Sequence, residues 1–196
     1  IINIEKDFKY KVYEVNDGRL YTDRIQDTAI ILDKKIIIEP SFQLRHAQNK
    51  KIYVSKISDN IVFKKGTPRI KRNLNGKLLS LLTGGGGNNN YWHWLTDVLP
   101  RLGLCSKSVN LNEIDFFLFP SLLKKFQTET LDLLNIPKHK RLSSEKYRHI
   151  QAKKLIVTDH PVVITGNASE DIQNIPKWII DWLKKSFINK DLILDK

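Results

Sequence analysis

Methionine is absent from this chain of 196 residues, and cysteine occurs once, as Cys105. One thiol cannot close an internal disulfide and excludes a structural zinc cage of several thiolates; it is compatible with a reducing compartment. No apolar run approaches the roughly 20 residues that cross a bilayer, and no signal peptide opens the sequence. The phosphate loop with its terminal lysine and hydroxyl is missing, as is the spaced dinucleotide fingerprint. So is any Asp-x-Asp sequence, and with it an argument for a metal-bridged diphosphate. With no methionine, an Ile1-Ile2 start and a strand-like Leu192-Ile193-Leu194 end, the chain reads as an excerpt from a longer protein.

What is present supports one domain of ordinary size, or a domain with a small appendage. Apolar residues make up 41% and aromatics 9%, enough for a packed core and against disorder. Lysine and arginine outnumber aspartate and glutamate by 33 to 21, a formal charge of +12. Such a field attracts phosphates, whether of nucleotides, nucleic acids or anionic lipids. The basic residues are spread along the whole chain, as they are on a solvated basic surface.

Residues 1–70 read as a small, mainly β appendage. Tyr10, Val12, Tyr13 and Val15 precede the turn signal Asn16-Asp17-Gly18, and Ala29–Leu32 and Ile36–Ile38 flank Asp33-Lys34-Lys35 as a hairpin. Apolar runs at Ile52–Ile57 and Ile61–Phe63 extend the strand-like text. Residues 71–196 change character. Leu78–Leu82, Ile114–Phe119 and Ala152–Val157 read as buried strands, while Ser121–Leu134 and Pro176–Phe187 carry apolar residues at helical spacing. Strand and helix alternating in this way predict an α/β fold with a parallel sheet.

The chemistry concentrates in Thr83–Leu104, TGGGGNNNYWHWLTDVLPRLGL. Its glycines and asparagines mark a loop, equally a flexible linker. About 100° of rotation per residue puts Trp92, Leu95, Val98, Leu99 and Leu102 in one apolar sector, facing the sheet. His93, Asp97 and Arg101, four apart, then line the opposite side: a base, an acid and a fixed cation. Asp97 can orient His93, and Arg101 can grip a carboxylate or phosphate. Pro100 predicts a kink or restart near Leu99. The same row also fits the solvated face of an amphipathic helix. Its position after a buried strand is where open α/β sheets hold ligands, and the helix amino end offers N–H groups to an anion.

Asn90 to Leu102, NYWHWLTDVLPRL, closely resembles the signature of glycosyltransferase family 61, with Trp92 where tyrosine or another aromatic is usual. The stretch GRLYTDRIQDTAIIL from Gly18, the EPSFQ at Glu39, the DHP at Asp159 and the IPKWIIDWL from Ile175 are similar to its bacterial members. The resemblance implies an inverting transferase moving a sugar from a nucleotide-sugar donor to a glycan or protein acceptor, without a cofactor in this chain. It implies a two-lobed GT-B architecture in which residues 71–196 form the Rossmann-like, three-layer, acceptor-side lobe. The second lobe would follow Lys196. His93 or Asp97 would be the catalytic base, and Asn90, Tyr91, Trp94, Arg101 and His160 would bind substrate. The location implied is cytoplasmic, or peripheral to the inner face of an anionic membrane, with no specific nucleic-acid partner.

Other candidates have simpler roles. His160 suits a site at a strand end or a structural turn. Cys105 reads as a small apolar residue, Trp178 and Trp182 as core contacts, and Lys184 and Lys185 as cations at a helix C-terminus. A non-catalytic carbohydrate-binding lobe and a basic nucleic-acid-binding module are the rival functions.

Overall fold

The computed structural model describes residues 10–25, 27–41, 44–47, 50–53, 56–83, 86–162 and 175–188. The terminal run 192–196 and the last two residues of the EPSFQ segment lie outside them. The first strands are β1 (Val12–Asn16), β2 (Arg19–Thr22), β3 (Thr28–Leu32) and β4 (Lys35–Ile37). The short helix α1 (Ile38–Ser41), the pair β5 (Leu44–Ala47) and β6 (Lys50–Tyr53), and helix α2 (Ile61–Lys65) follow. Next come β7 (Arg72–Ser80), β8 (Phe116–Phe119), β9 (Arg141–Ser143) and β10 (His149–Thr158). Their helices are α3 (Tyr91–His93), α4 (Pro100–Cys105), α5 (Lys125–Leu133) and α6 (Lys177–Phe187).

Eight of these strands form one mixed, open sheet in the order β4-β3-β2-β10-β7-β8-β9, with β1 also paired to β10. The fold is therefore α/β. Strands β10, β7, β8 and β9 are mutually parallel. The chain runs outward from β7 to β8 and β9, then returns to β10 on the other side of β7. That reversal is the topological switch point, and the crevice outside the carboxyl ends of β7 and β10 is where such sheets hold ligands.

The strands of the amino-terminal segment join this same sheet through β10. The turn expected at Asn16-Asp17-Gly18 is present, the Gly18 N–H meeting the Val15 carbonyl at 3.3 Å, and the chain continues past it in the same direction. Asn16 faces Lys154 and Arg19 faces Gln151 in unbroken antiparallel register, so β1 and β2 are two halves of one long strand. Asp17 takes a positive φ of 52° there. Gly18 is required by close approach, since a Cβ would stand 2.8 Å from Leu155 Cβ. The hairpin expected around Asp33-Lys34-Lys35 is present, with Asp33 and Lys34 both at positive φ, as a tight two-residue turn demands. Ile61–Phe63 is helical rather than extended, because Asn60 caps α2 by accepting the Val62 N–H at 3.1 Å.

Alternation along the strands buries both faces of the sheet. Leu79, Phe117, Phe119 and Ile156 point into one cluster with Trp94, Val98, Leu99, Leu102, Cys105 and Leu131 from the helices. Leu78, Leu118, Leu155 and Val157 point the other way, joining Val15, Leu20 and Ile30. Among the described residues the helices α4, α5 and α6 pack on the first face, and the second cluster is built from strands and loops. The expected three-layer arrangement therefore reduces, over these residues, to helices on one side of the sheet.

Candidate functional site at the carboxyl ends of β7 and β10

Past β7 the chain forms a single 3-10 turn, Gly86–Asn88, which is fastened rather than free. Gln127 of α5 is fully buried and donates from Nε2 to the carbonyls of Gly87 (3.2 Å) and Asn88 (2.9 Å), while its Oε1 accepts the Lys124 N–H. Gly87 presses against Val98 and Pro120 so closely that a Cβ would meet Val98 Cγ2 at 2.6 Å. The flexible-linker expectation does not hold for this turn. Asn90 then caps α3, its Oδ1 accepting the N–H groups of Trp92 (2.9 Å) and His93 (3.3 Å). Those amides are thereby occupied by a side chain, which corrects the expectation that they serve an anion.

The helix restarts at Pro100, as its pyrrolidine ring requires, and the preceding turn widens to accommodate it. Residues Trp94–Val98 form a π-turn in which the Leu99 N–H reaches the Trp94 carbonyl, five residues back, at 3.0 Å. An unwidened turn would drive the proline ring into the Thr96 carbonyl. The extra residue shifts the phase of every side chain around it. Trp92, expected against the sheet, is 43% exposed, and Trp94 is fully buried. Trp94 donates from Nε1 to Thr130 Oγ1 at 2.9 Å and packs on Phe119 and Phe126. It is a core residue and does not face a ligand.

Asp97 and Arg101 also turn inward. Arg101 donates from Nε to the Asp97 carbonyl (3.0 Å) and from Nη1 to the Thr158 carbonyl (3.1 Å) and hydroxyl (3.3 Å). Its buried guanidinium locks the helix to the end of β10, which replaces the expected grip on a substrate anion. Next to Thr158, the Asp159 carboxylate accepts the Lys11 N–H (2.8 Å) and the Tyr13 hydroxyl (3.0 Å), tying β1 to the same corner. Burial, followed by the charge of Asp159, raises the Tyr13 hydroxyl well above its ordinary pKa.

The site proper is a carboxylate between two imidazoles. Asp97 Oδ2 lies 2.5 Å from His93 Nδ1. Asp97 Oδ1 lies 3.4 Å from Thr96 Oγ1 and 3.9 Å from His160 Nε2. His160 Nε2 is also 2.9 Å from Thr83 Oγ1, so groups from the ends of β7 and β10 meet at this carboxylate. Exposure separates the members: the His93 side chain is 41% exposed, those of Asp97 and His160 6% and 3%. Tyr91, expected to bind substrate, is half exposed with its ring edge-on to Phe126. Chemically this is an accessible imidazole held by a buried carboxylate, an arrangement that fixes tautomer and ring orientation for proton transfer.

Of the residues singled out in the sequence, His93, Asp97 and His160 come together. Asn90 is a helix cap, and Trp94 and Arg101 are structural. Thr83 and Thr158 were not singled out; their only signal is that Thr158 closes β10 and Thr83 follows shortly after β7. Cys105 is buried, and burial, then the charge of Glu14, pushes its thiol up to about 12, which removes it as a nucleophile. Trp178 donates to the Tyr10 hydroxyl and packs edge-on against that ring. Among the described residues no group of three His, Cys, Asp or Glu side chains is arranged around a metal position. No helix among them is long and apolar enough to cross a membrane.

Comparison with family models, curated proteins and solved structures found no match to this chain.

Proposed function

We propose that the chain is the acceptor-side part of an inverting glycosyltransferase, with a nucleotide sugar as donor and a glycan as acceptor. The observation that carries the reading is the His93–Asp97 pair at the switch point of the sheet, where an accessible imidazole meets a buried carboxylate. The resemblance of Asn90–Leu102 to family 61 supplies the reaction class.

In this reading His93 is the base and Asp97 its orienting partner, because only the imidazole is exposed enough to meet a hydroxyl. With Nδ1 directed at Asp97, Nε2 takes the proton of the acceptor hydroxyl. The freed oxygen bonds to the anomeric carbon from the face opposite the nucleotide. The bond between that carbon and the phosphate oxygen breaks, and the nucleotide leaves with the electron pair, so configuration inverts. His160 and Thr83 steady Asp97 from the strand ends. A second, donor-binding lobe of GT-B type completes the proposal, together with a cytoplasmic or membrane-peripheral location.

The test is sugar transfer by the full-length protein across a panel of nucleotide sugars, wild type against His93→Gln. Loss of a general base lowers turnover by about 10²–10⁴-fold. A folded His93→Gln variant with normal turnover removes His93 from catalysis. A protein that binds glycan but transfers no sugar is instead a carbohydrate-binding lobe.

A further inference from the structure

A second opening lies along the same edge of the sheet, beyond β8 and β9. It is a cavity of about 400 Å³, walled by Arg24, Asn88, Asn89, Ser121, Glu145 and Arg148. Its size is that of a small-molecule pocket. The wall is held rigidly. Arg24 sits at a positive φ of 67°, and its carbonyl accepts from Asn88 Nδ2 at 2.6 Å. Its guanidinium donates to Ser144 Oγ (3.1 Å) and Glu145 Oε1 (3.1 Å). Glu145 in turn accepts from Ser121 Oγ (2.9 Å) and Ser143 Oγ (2.8 Å).

The polar groups of this wall suit a ligand rich in hydroxyls. Asn88 Oδ1 is a buried acceptor with no partner among the described residues, and a buried acceptor left in that state is costly. The bond from Asn88 Nδ2 to Arg24 fixes which end of the amide is the oxygen, and that oxygen is shielded from solvent. Arg148 also lines the cavity and is exposed; its carbonyl accepts the Thr22 N–H at 2.9 Å, while its guanidinium makes no hydrogen bond or ion pair among the described residues, which leaves those donors for an acceptor. The charges of the lining, Asp23 and Glu145 against Arg24 and Arg148, cancel. A neutral ligand that both donates and accepts fits this better than an anion. Ile25 and Leu123, exposed at the rim, offer aliphatic surface to the C–H face of such a ring.

Position supplies the rest. Asn89 lines the cavity, and the next residue caps the helix that carries His93. Asn89 thus stands four residues before His93 in the chain. We propose that this cavity binds a neutral saccharide unit of the acceptor, the one adjoining the sugar whose hydroxyl meets His93. The word acceptor rests on the transferase reading; the saccharide pocket itself does not.

The experiment is a titration of the full, isotope-labelled chain with methyl glycosides of glucose, galactose, mannose, xylose and N-acetylglucosamine, with glucuronate and inorganic phosphate as charged probes. Side-chain amide signals of Asn88 and Asn89 are the readout. The proposal expects at least one neutral glycoside to shift both signals saturably. Arg148→Ala, an exposed change that spares the fold, should weaken that binding about fivefold or more. No shift with any neutral glycoside overturns it, as does a response confined to glucuronate or phosphate. Transfer that depends on His93 but whose acceptor KM ignores Arg148→Ala also overturns it and leaves the transferase reading intact. Saccharide binding at the two asparagines without any transfer supports the pocket and rejects the transferase.

Discussion

Gly87→Ala probes the joint between the glycine turn and the helix bearing the site. The added Cβ would stand 2.6 Å from Val98 Cγ2, 3.0 Å from Pro120 Cγ and 3.4 Å from Thr83 Cγ2. Apolar carbons rest near 3.5–4.0 Å, so the overlap with Val98 approaches an ångström. Neither close neighbour can swing aside: valine is stiff at χ1 and Pro120 is a ring. Overpacking of this kind costs about 1–3 kcal/mol, and two hard contacts place Gly87→Ala near ~2 kcal/mol. Val98→Ala removes the closest atom; alone it loses roughly 1–3 kcal/mol through lost transfer energy and a small cavity. Because the second change relieves the clash of the first, the double variant should be less unstable than the two losses added, by about 1 kcal/mol. Urea unfolding of the four proteins measures all terms. A Gly87→Ala change within about 0.5 kcal/mol of wild type, or strict additivity, would refute the packing described for this turn.

Gln127→Leu keeps the shape of a fully buried side chain but strips its bonds to Lys124, Gly87 and Asn88, and should cost about 2–4 kcal/mol in the same unfolding assay. His149 lies below the ordinary histidine range because burial disfavours the imidazolium, an effect the Ile70 carbonyl opposes and Arg19 and Lys71 reinforce. The unfolded chain takes up that proton near pH 6.5 and the folded chain only below it. Its contribution to stability is therefore complete above about 6.5 and is lost as pH falls through the lower folded value. His149→Leu should flatten the wild-type decline in urea midpoint between about pH 7 and 5, and an unchanged slope would contradict this. Cys105, buried and with its thiol pushed up to about 12, should resist alkylation at pH 8 until denaturant is added. Rapid labelling of the native chain would show that α4 is not packed as described.

The readable parts of the fold were those decided locally. Continuous apolar runs announced β7, β8 and β10, because strands buried on both faces leave no polar alternation, and the Asp33-Lys34 turn announced its hairpin. Two errors have separate causes. Ile61–Phe63 is too short to display a period, so the cap at Asn60 decided its conformation. The phase of the site helix was misjudged because a uniform 100° step cannot anticipate a π-turn. That turn carried Trp94, Asp97 and Arg101 inward and Trp92 outward. His93 and Asp97, four residues apart, were visible as a pair. The approach of His160 to Asp97 is set by the parallel pairing of β7 with β10, and no local pattern in the chain encodes it.

The central claim is that Asp97 holds His93 as the base of sugar transfer, and the most direct measurement is the turnover of Asp97→Asn in the full-length protein. The amide keeps the size of the side chain and can still accept from His93, but it removes the charge that stabilises the imidazolium formed during proton transfer. The account predicts a folded variant whose kcat falls by about 10²–10⁴-fold with little change in acceptor KM. A folded Asp97→Asn protein that transfers sugar at the wild-type rate would contradict it.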